Sequence, residues 1–223
     1  MRPNIQPAVF LLLASALTLH ARAGEVVDRI VASVNQQIVL ESELQVSVAY
    51  QCLANHSACL PLGPEGRSAA LERLIEQKLL QQQMQGTQFT TSSDQDVAQR
   101  IKELKRELIA VGTQTDESQD PWQSMLRKYD LTQADVEREV ALETDLLRFV
   151  DARFRPRIRI EDGQVENYYS EILLPQLKAS GGNIPKLDEV AGRIREVLVQ
   201  QRINEELADW LKNLREQSTI RIR

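Results

Sequence analysis

The sequence predicts a mainly α-helical fold with one small β-sheet. Three observations lead there. From residue 42 to residue 217, apolar side chains recur at steps of three and four, the repeat that gives a helix one buried face. Capping residues, prolines and glycines divide that stretch into separate helices. Alternating, β-branched sequence is concentrated at the two ends, Val26–Leu40 and Ser218–Arg223. A two-stranded hairpin is marginal alone, so the C-terminal strand is expected to join the N-terminal hairpin in one sheet.

Taken in order, Met1–Ala23 carries Arg2, an apolar run from Ala8 to Leu19, and Ala21-Arg22-Ala23 before Gly24. That pattern predicts a cleavable secretory signal, leaving Gly24–Arg223 as the mature chain. The alternative, a membrane anchor, would need about 20 apolar residues against about 12 here. No later stretch is apolar enough to span a membrane.

Val26–Val34 reads as a strand, Asn35-Gln36-Gln37 as a turn lacking the usual glycine, and Ile38–Leu40 as a second strand. Ser42 with Gln45 gives a capping-box pattern for a helix through Leu44, Val48 and Leu53. Pro61, Gly63, Pro64 and Gly66 mark a loop over Ser57–Gly66. A second helix over Arg67–Gln85 aligns Leu71, Leu74, Ile75 and Leu79, and Gly86 stops it. Ser93 and Asp96 start a third, with Val97, Ile101, Leu104, Leu108 and Val111 in a narrow stripe before Gly112.

Asp120-Pro121 opens a short helix that carries Trp122, Met125, Leu126 and Tyr129 on one side. Thr132 and Asp135 cap a fifth helix, with Val136, Val140, Leu147 and Val150 as its core face and Pro156 as its stop. Arg153–Ile160, RFRPRIRI, would place four arginines on one face of an extended segment. Such a face suits a carboxylate or a lipid head group; the plainer reading is a solvated edge strand. A sixth helix from Glu161-Asp162 includes Val165, Tyr168, Tyr169, Ile172 and Leu173, and Pro175, Gly181, Gly182 and Pro185 break the chain after it. The last helix, capped by Asp188 and reaching Gln217, would be about 42 Å long. Ile194, Val197, Leu198, Leu207, Trp210, Leu211 and Leu214 are its apolar positions, and STIRIR follows as a half-buried strand.

The chemistry this sequence excludes is as informative. The net charge is −5, there is no dense basic stripe, and aromatics make up 4% of the chain, so nucleic-acid binding is not expected. Beyond the expected signal there is one histidine, His56, which leaves no Ser-His-Asp or Cys-His pair. No phosphate-binding glycine loop is present. No cofactor, metal or catalytic residue is expected. Cys52 and Cys59 are too far apart for a redox C-x-x-C motif. In an exported chain a structural disulfide is the first reading, with free thiols or a metal the alternatives. What remains is a surplus of large apolar side chains: Trp122, Met125, Tyr129, Phe149, Phe154, Tyr168, Tyr169, Leu173 and Leu174. Exposed in a cleft they would hold apolar segments of other chains; otherwise each is core.

Four segments carry a family resemblance. VVDRIVASVNQQIVLESEL, Val26–Leu44, resembles the start of the SurA-type periplasmic chaperones, and LERLIEQKLLQQQ, Leu71–Gln83, their next helix. IRIEDGQVENYYSE, Ile158–Glu171, is similar to the segment before their first isomerase domain, and Leu187–Arg223 to their C-terminal helix and strand. The resemblance implies a helical chaperone core with an N-terminal part over 24–173, a linker over 174–186 and a C-terminal helix and strand over 187–223. In the family, parvulin isomerase domains occupy the linker's place, and a domain of around a hundred residues does not fit there. The resemblance therefore implies a periplasmic, nucleotide-independent holdase for unfolded clients such as outer-membrane proteins, without its own isomerase. Two other readings stand beside it: an adaptor docking one folded partner, and an isomerase by family name alone.

Overall fold

The computed structural model describes residues 28–55, 63–110, 120–181 and 184–223. The expected signal segment, Val26, Val27, Cys59, Val111 and Gly112 lie outside them. The described chain is mainly α-helical, with one three-stranded antiparallel sheet.

Strands β1 (Ile30–Val34) and β2 (Gln37–Leu40) form the hairpin. Its turn needs no glycine because Asn35 takes the left-handed conformation, φ 55°, which asparagine tolerates better than most residues. Strand β3 (Ile220–Ile222) pairs antiparallel with the other edge of β1, Val34 opposite Ile220 and Ala32 opposite Ile222. The sheet order is β2-β1-β3, so the two ends of the described chain meet.

Helix α1 (Glu41–Ala54) does not start on the expected Ser42–Gln45 box. The Glu43 carboxylate accepts the Leu40 N–H at 2.9 Å. Asp28 accepts the Ser42 N–H at 3.2 Å and also accepts a hydrogen bond from the Ser42 hydroxyl. The cap therefore comes from before β1, fourteen positions upstream, and the hairpin delivers it. Helix α2 (Pro64–Gln85) begins at Pro64 rather than Arg67, because a proline fits the first helical position, where no N–H is needed. Gln82 of α2 donates to the Val34 carbonyl at 3.1 Å and accepts from Asn35 Nδ2 at 2.7 Å. Asn35 also exchanges two hydrogen bonds with the Thr219 backbone, at 2.8 and 2.9 Å. One turn thus ties hairpin, α2 and C-terminus together.

The caps of the next helices match their sequence signals. In α3 (Asp94–Ala110), Ser93 Oγ accepts the Asp96 N–H at 3.2 Å and Asp96 accepts the Ser93 N–H at 2.9 Å. Asp120 caps α4 (Pro121–Lys128) by accepting the Trp122 N–H at 3.0 Å. Thr132 and Asp135 cap α5 (Gln133–Phe154) reciprocally. On α5, Val136, Val140 and Val150 are buried, but Leu147 is 63% exposed and Leu146 is buried instead. The cause is a change of partner: the first half of α5 packs with α3 and α4, the second half with the end of α2 and the last helix. Leu147 continues the first face beyond the end of its partner.

RFRPRIRI is not a strand. α5 runs through Phe154, and Arg155–Arg157 forms a 3-10 turn. The following helix also departs from expectation. α6 (Asp162–Tyr168), a π turn (Tyr169–Leu173) and α7 (Leu174–Ser180) form one run that ends at Gly181, φ 65°. Pro175 does not break it, because the π turn just before it re-spaces the backbone where a proline lacks an N–H and crowds the preceding turn. Residues 174–180 of the expected linker are therefore helical.

Helix α8 (Leu187–Glu216) starts with Lys186 at the cap position; Glu189, not Asp188, accepts the Lys186 N–H, at 3.1 Å. Its 30 residues make it about 45 Å long at 1.5 Å per residue. The second half of α8 closes the body: Ile203 is 1% exposed among Leu80, Leu146, Val150 and Phe154, with Trp210 and Leu214 packed beside them. Its first half leaves the body and packs with α6 around Val165, Val190 and Ile194. Val197, expected in the core, is 41% exposed between those two clusters.

Candidate functional site

The structure separates the sequence-predicted site residues into two groups. Trp122, Met125 and Tyr129 are 7%, 4% and 6% exposed and sit in the cluster of α1, α3, α4 and α5. Trp122 Nε1 donates to Gln133 Oε1 at 2.7 Å, which fixes the indole inward. Phe149 and Phe154 are equally buried, Phe149 edge-on to Phe89 at 5.5 Å and Phe154 edge-on to Trp210 at 5.7 Å between ring centroids. All five expected cleft residues are core here: α1, α3, α4 and α5 enclose Trp122, Met125 and Tyr129, while Phe154 packs among α2, α5 and α8, and Phe149 lies against Phe89 and Trp210.

Tyr168, Tyr169 and Leu173 form the second group, half-buried on the arm that α6, the π turn, α7 and the first half of α8 build. A capping interaction starts the arm: the Gln164 side chain accepts the Glu161 N–H at 2.9 Å. The Tyr169 hydroxyl donates to the Pro185 carbonyl at 2.8 Å and ties the entry of α8 back onto the π turn. Leu174 is half-buried beside them, while Ile172 and Ile184 are 43% and 44% exposed. Ile172 and Ile184 were missed as candidates from sequence. The run Ile172-Leu173-Leu174 held the signal, since three successive apolar residues on a helix cannot all face one partner.

Charge pairs hold the arm on its outside. Arg155 bonds Glu196 at 2.8 Å and Asp151 at 2.6 Å; Glu196, then Asp151, raise its pKa, and Arg155 lowers that of Glu196. Arg195 reaches Asp162 at 2.7 Å. All are solvent-accessible, so they orient the arm more than they stabilise it.

A concavity of about 390 Å³ lies between α1, α2 and α5. Burial pushes Glu139 on its wall up to about 6, with Glu43, Glu143 and Asp135 adding to the shift and Arg138 opposing it. Gln77 Oε1 is buried there without a hydrogen-bond partner. The hydroxyl in the lining, Ser42, donates to the Asp28 carboxylate, which caps α1. Among the described residues no cluster of His, Cys, Asp and Glu is placed to hold a metal, and no helix is long and apolar enough to cross a membrane.

With this geometry in hand, the comparisons are specific. Residues 5–148 match the SurA-like N-terminal domain family. The chain belongs to that family. The matched region takes in the hairpin, α1 to α4 and most of α5, while the arm, α8 and β3 lie beyond it. Chaperone SurA of Pseudomonas aeruginosa is 27% identical over 160 residues, 70% of this chain. The chain spans 36% of the length of that relative. A chaperone-family relationship follows for this SurA-like chain, centred on the hairpin and the helices packed against it.

Proposed function

We propose that this SurA-like chain is a nucleotide-independent holdase for unfolded polypeptides in the periplasm, outer-membrane proteins among them. The observation that carries the reading is the arm. It leaves Tyr168, Tyr169, Ile172, Leu173 and Leu174 partly accessible as neighbours on one helical run, whereas the exposed large apolar residues of the body, Ile38, Leu147 and Ile222, lie on separate elements. A client segment laid on that surface gains roughly 25 cal/mol per Å² of apolar area removed from water. Such burial is not directional, so many sequences suffice. The reading includes no isomerase activity. Residues 181–186 lead from α7 into α8, and no domain intervenes to lower the roughly 18–20 kcal/mol barrier of the peptide bond.

The test uses purified protein and a urea-unfolded outer-membrane protein diluted into buffer without nucleotide. Light scattering is expected to rise more slowly as the chain is added in stoichiometric amounts. Refolding of a proline-limited substrate is expected to keep its uncatalysed rate. No protection from aggregation, together with capture of one folded partner, would replace this reading with an adaptor. Acceleration of the proline phase would expose a catalytic site.

The proposal also takes residues 1–23 as a removed signal, 24–223 as one chaperone core, and Cys52 as joined to Cys59. Cys52 is half-buried against the α1, α3, α4 and α5 cluster, and Cys59 lies outside the described residues. Closing so short a loop stabilises by about 2–2.5 kcal/mol on the chain-entropy account. Intact mass of the periplasmic protein, alkylated under denaturing conditions without reductant, tests both points. The mass of Gly24–Arg223 without alkyl groups is expected. A heavier chain that keeps residues 1–23 would refute export with cleavage, and two alkyl groups would refute the disulfide.

A further inference from the structure

The four arginines of RFRPRIRI do not share one task. Arg153 stacks on Trp210, 4.0 Å from the ring centroid, and Arg155 is bound by Asp151 and Glu196. Arg157 and Arg159 have no carboxylate partner among the described residues. Arg157 lies 5.7 Å from the Phe154 ring centroid, and Arg159 donates only to the Pro156 and Ile158 carbonyls. Both line a cavity of about 570 Å³ in the crook where the arm leaves the body, within the roughly 300–1,000 Å³ range of small-ligand sites.

The walls divide by chemistry. Ile158, Ile160 and Leu198 give half-buried apolar surface, and Gln164 and Gln201 add side-chain amides. On α8, Arg202 is already paired with Glu205 at 2.8 Å and Glu206 at 3.1 Å. Two open guanidinium groups beside apolar side chains suit one anionic group attached to an apolar body, and the planar fork of arginine matches a carboxylate. Glu205 and Glu206 oppose a ligand with several negative charges, such as a phosphate-rich surface, but not one whose remaining polar groups are neutral amides.

We propose that this cavity receives the C-terminal carboxylate of an unfolded polypeptide. Arg157 and Arg159 bind the carboxylate, Ile158, Ile160 and Leu198 seat the last apolar side chain, and Gln164 and Gln201 meet the final peptide groups. The assignment rests on the chaperone reading and narrows it: the arm binds apolar segments anywhere in a client, whereas the crook reads a chain end.

The experiment is a fluorescence-anisotropy titration of the full mature chain with two short peptides, labelled at the N-terminus and ending in leucine. One has a free C-terminal carboxylate and the other a C-terminal amide. The acid is expected to bind about tenfold tighter, the scale of one charge-assisted contact. Arg157→Gln with Arg159→Gln is expected to remove that preference, with circular dichroism checking that the variant is folded. Equal affinity of wild type for acid and amide overturns the proposal without touching the holdase reading. So does binding of neither peptide by a chain that still slows client aggregation. Failure in both assays overturns both readings. Arginine-dependent flotation with phosphatidylglycerol vesicles, without discrimination between the peptides, would assign the cavity to a lipid head group instead.

Discussion

The two halves of α8 belong to different environments. From Ile203 onward the helix is held by α2 and α5, and the strand that follows it completes the sheet. Before Ile203 it has α6 and the π turn, three well-buried residues, and charge pairs exposed to water. One continuous helix therefore joins a body with several large buried clusters to an arm with one small one. Local stability follows local burial, so the body should unfold as a unit while the arm opens at lower cost. On the proposed holdase reading that division is useful: an arm that met clients could adapt without loosening the part that holds the fold.

A paired substitution in the two halves of α8 puts that division at risk directly. Ile203→Ala removes a fully buried side chain from the α2, α5 and α8 cluster and should cost about 2–5 kcal/mol of global stability in urea unfolding. Ile194→Ala makes the same chemical change in the arm. It should leave the global midpoint nearly in place and raise amide exchange over residues 162–200 alone. Equal midpoint shifts in the two variants would mean that arm and body form one cooperative unit.

A smaller effect concerns Glu139, in the body between α1, α2 and α5. Burial, the largest cause, raises its pKa to about 6 from 4.5. Between those values the folded chain holds a proton that the unfolded chain has lost, so stability falls as pH rises through that window. Above pH 6 the buried carboxylate carries a penalty of about 2 kcal/mol at most, from roughly 1.4 kcal/mol per pKa unit. Glu139→Gln should raise the melting temperature at pH 7.5 and flatten its pH dependence from 4.5 to 6. An unchanged pH profile would show that Glu139 ionises as a surface acid. Glu41 works in the opposite sense: its bonds to Arg67, then Arg29, lower its pKa to about 2, so its contribution is present above 4.5 and lost as pH falls towards 2.

The smallest effect on stability should be the largest on client binding. Ile172→Ser with Leu173→Ser trims the accessible edge of the arm. Global stability should change by less than about 0.5–1 kcal/mol, as for surface substitutions, while client affinity weakens about tenfold in a competition titration. Trp122→Ala should do the reverse, destabilising by about 3–5 kcal/mol with client affinity preserved in the folded fraction. If Trp122 rather than Ile172 and Leu173 controls affinity, clients reach the body and the contrast between the two regions fails.

Much of this was legible in one dimension. Caps at Ser93, Asp120 and Thr132 and the apolar stripes of α2 and α3 depend on residues a turn apart, so local spacing carries them. Even the pairing of the two ends was readable, because a lone hairpin leaves an edge unfilled and one short strand was left over. The misses have a common cause. Asp28 capping α1, Leu147 turning outward, and helix continuing past Pro175 each depend on distant partners or on a backbone adjustment. The candidate site divides the same way. Sequence identified the large apolar residues and the unusual arginine run. Only the tertiary structure decided that Trp122, Met125, Tyr129, Phe149 and Phe154 are core, that Tyr168, Tyr169 and Leu173 belong to a half-open arm, and that Arg157 and Arg159 face a cavity while Arg153 and Arg155 are engaged. Hydrophobicity fixes which side chains seek burial. Whether they find it depends on which helices arrive opposite them, and α8 meets the body along only half its length.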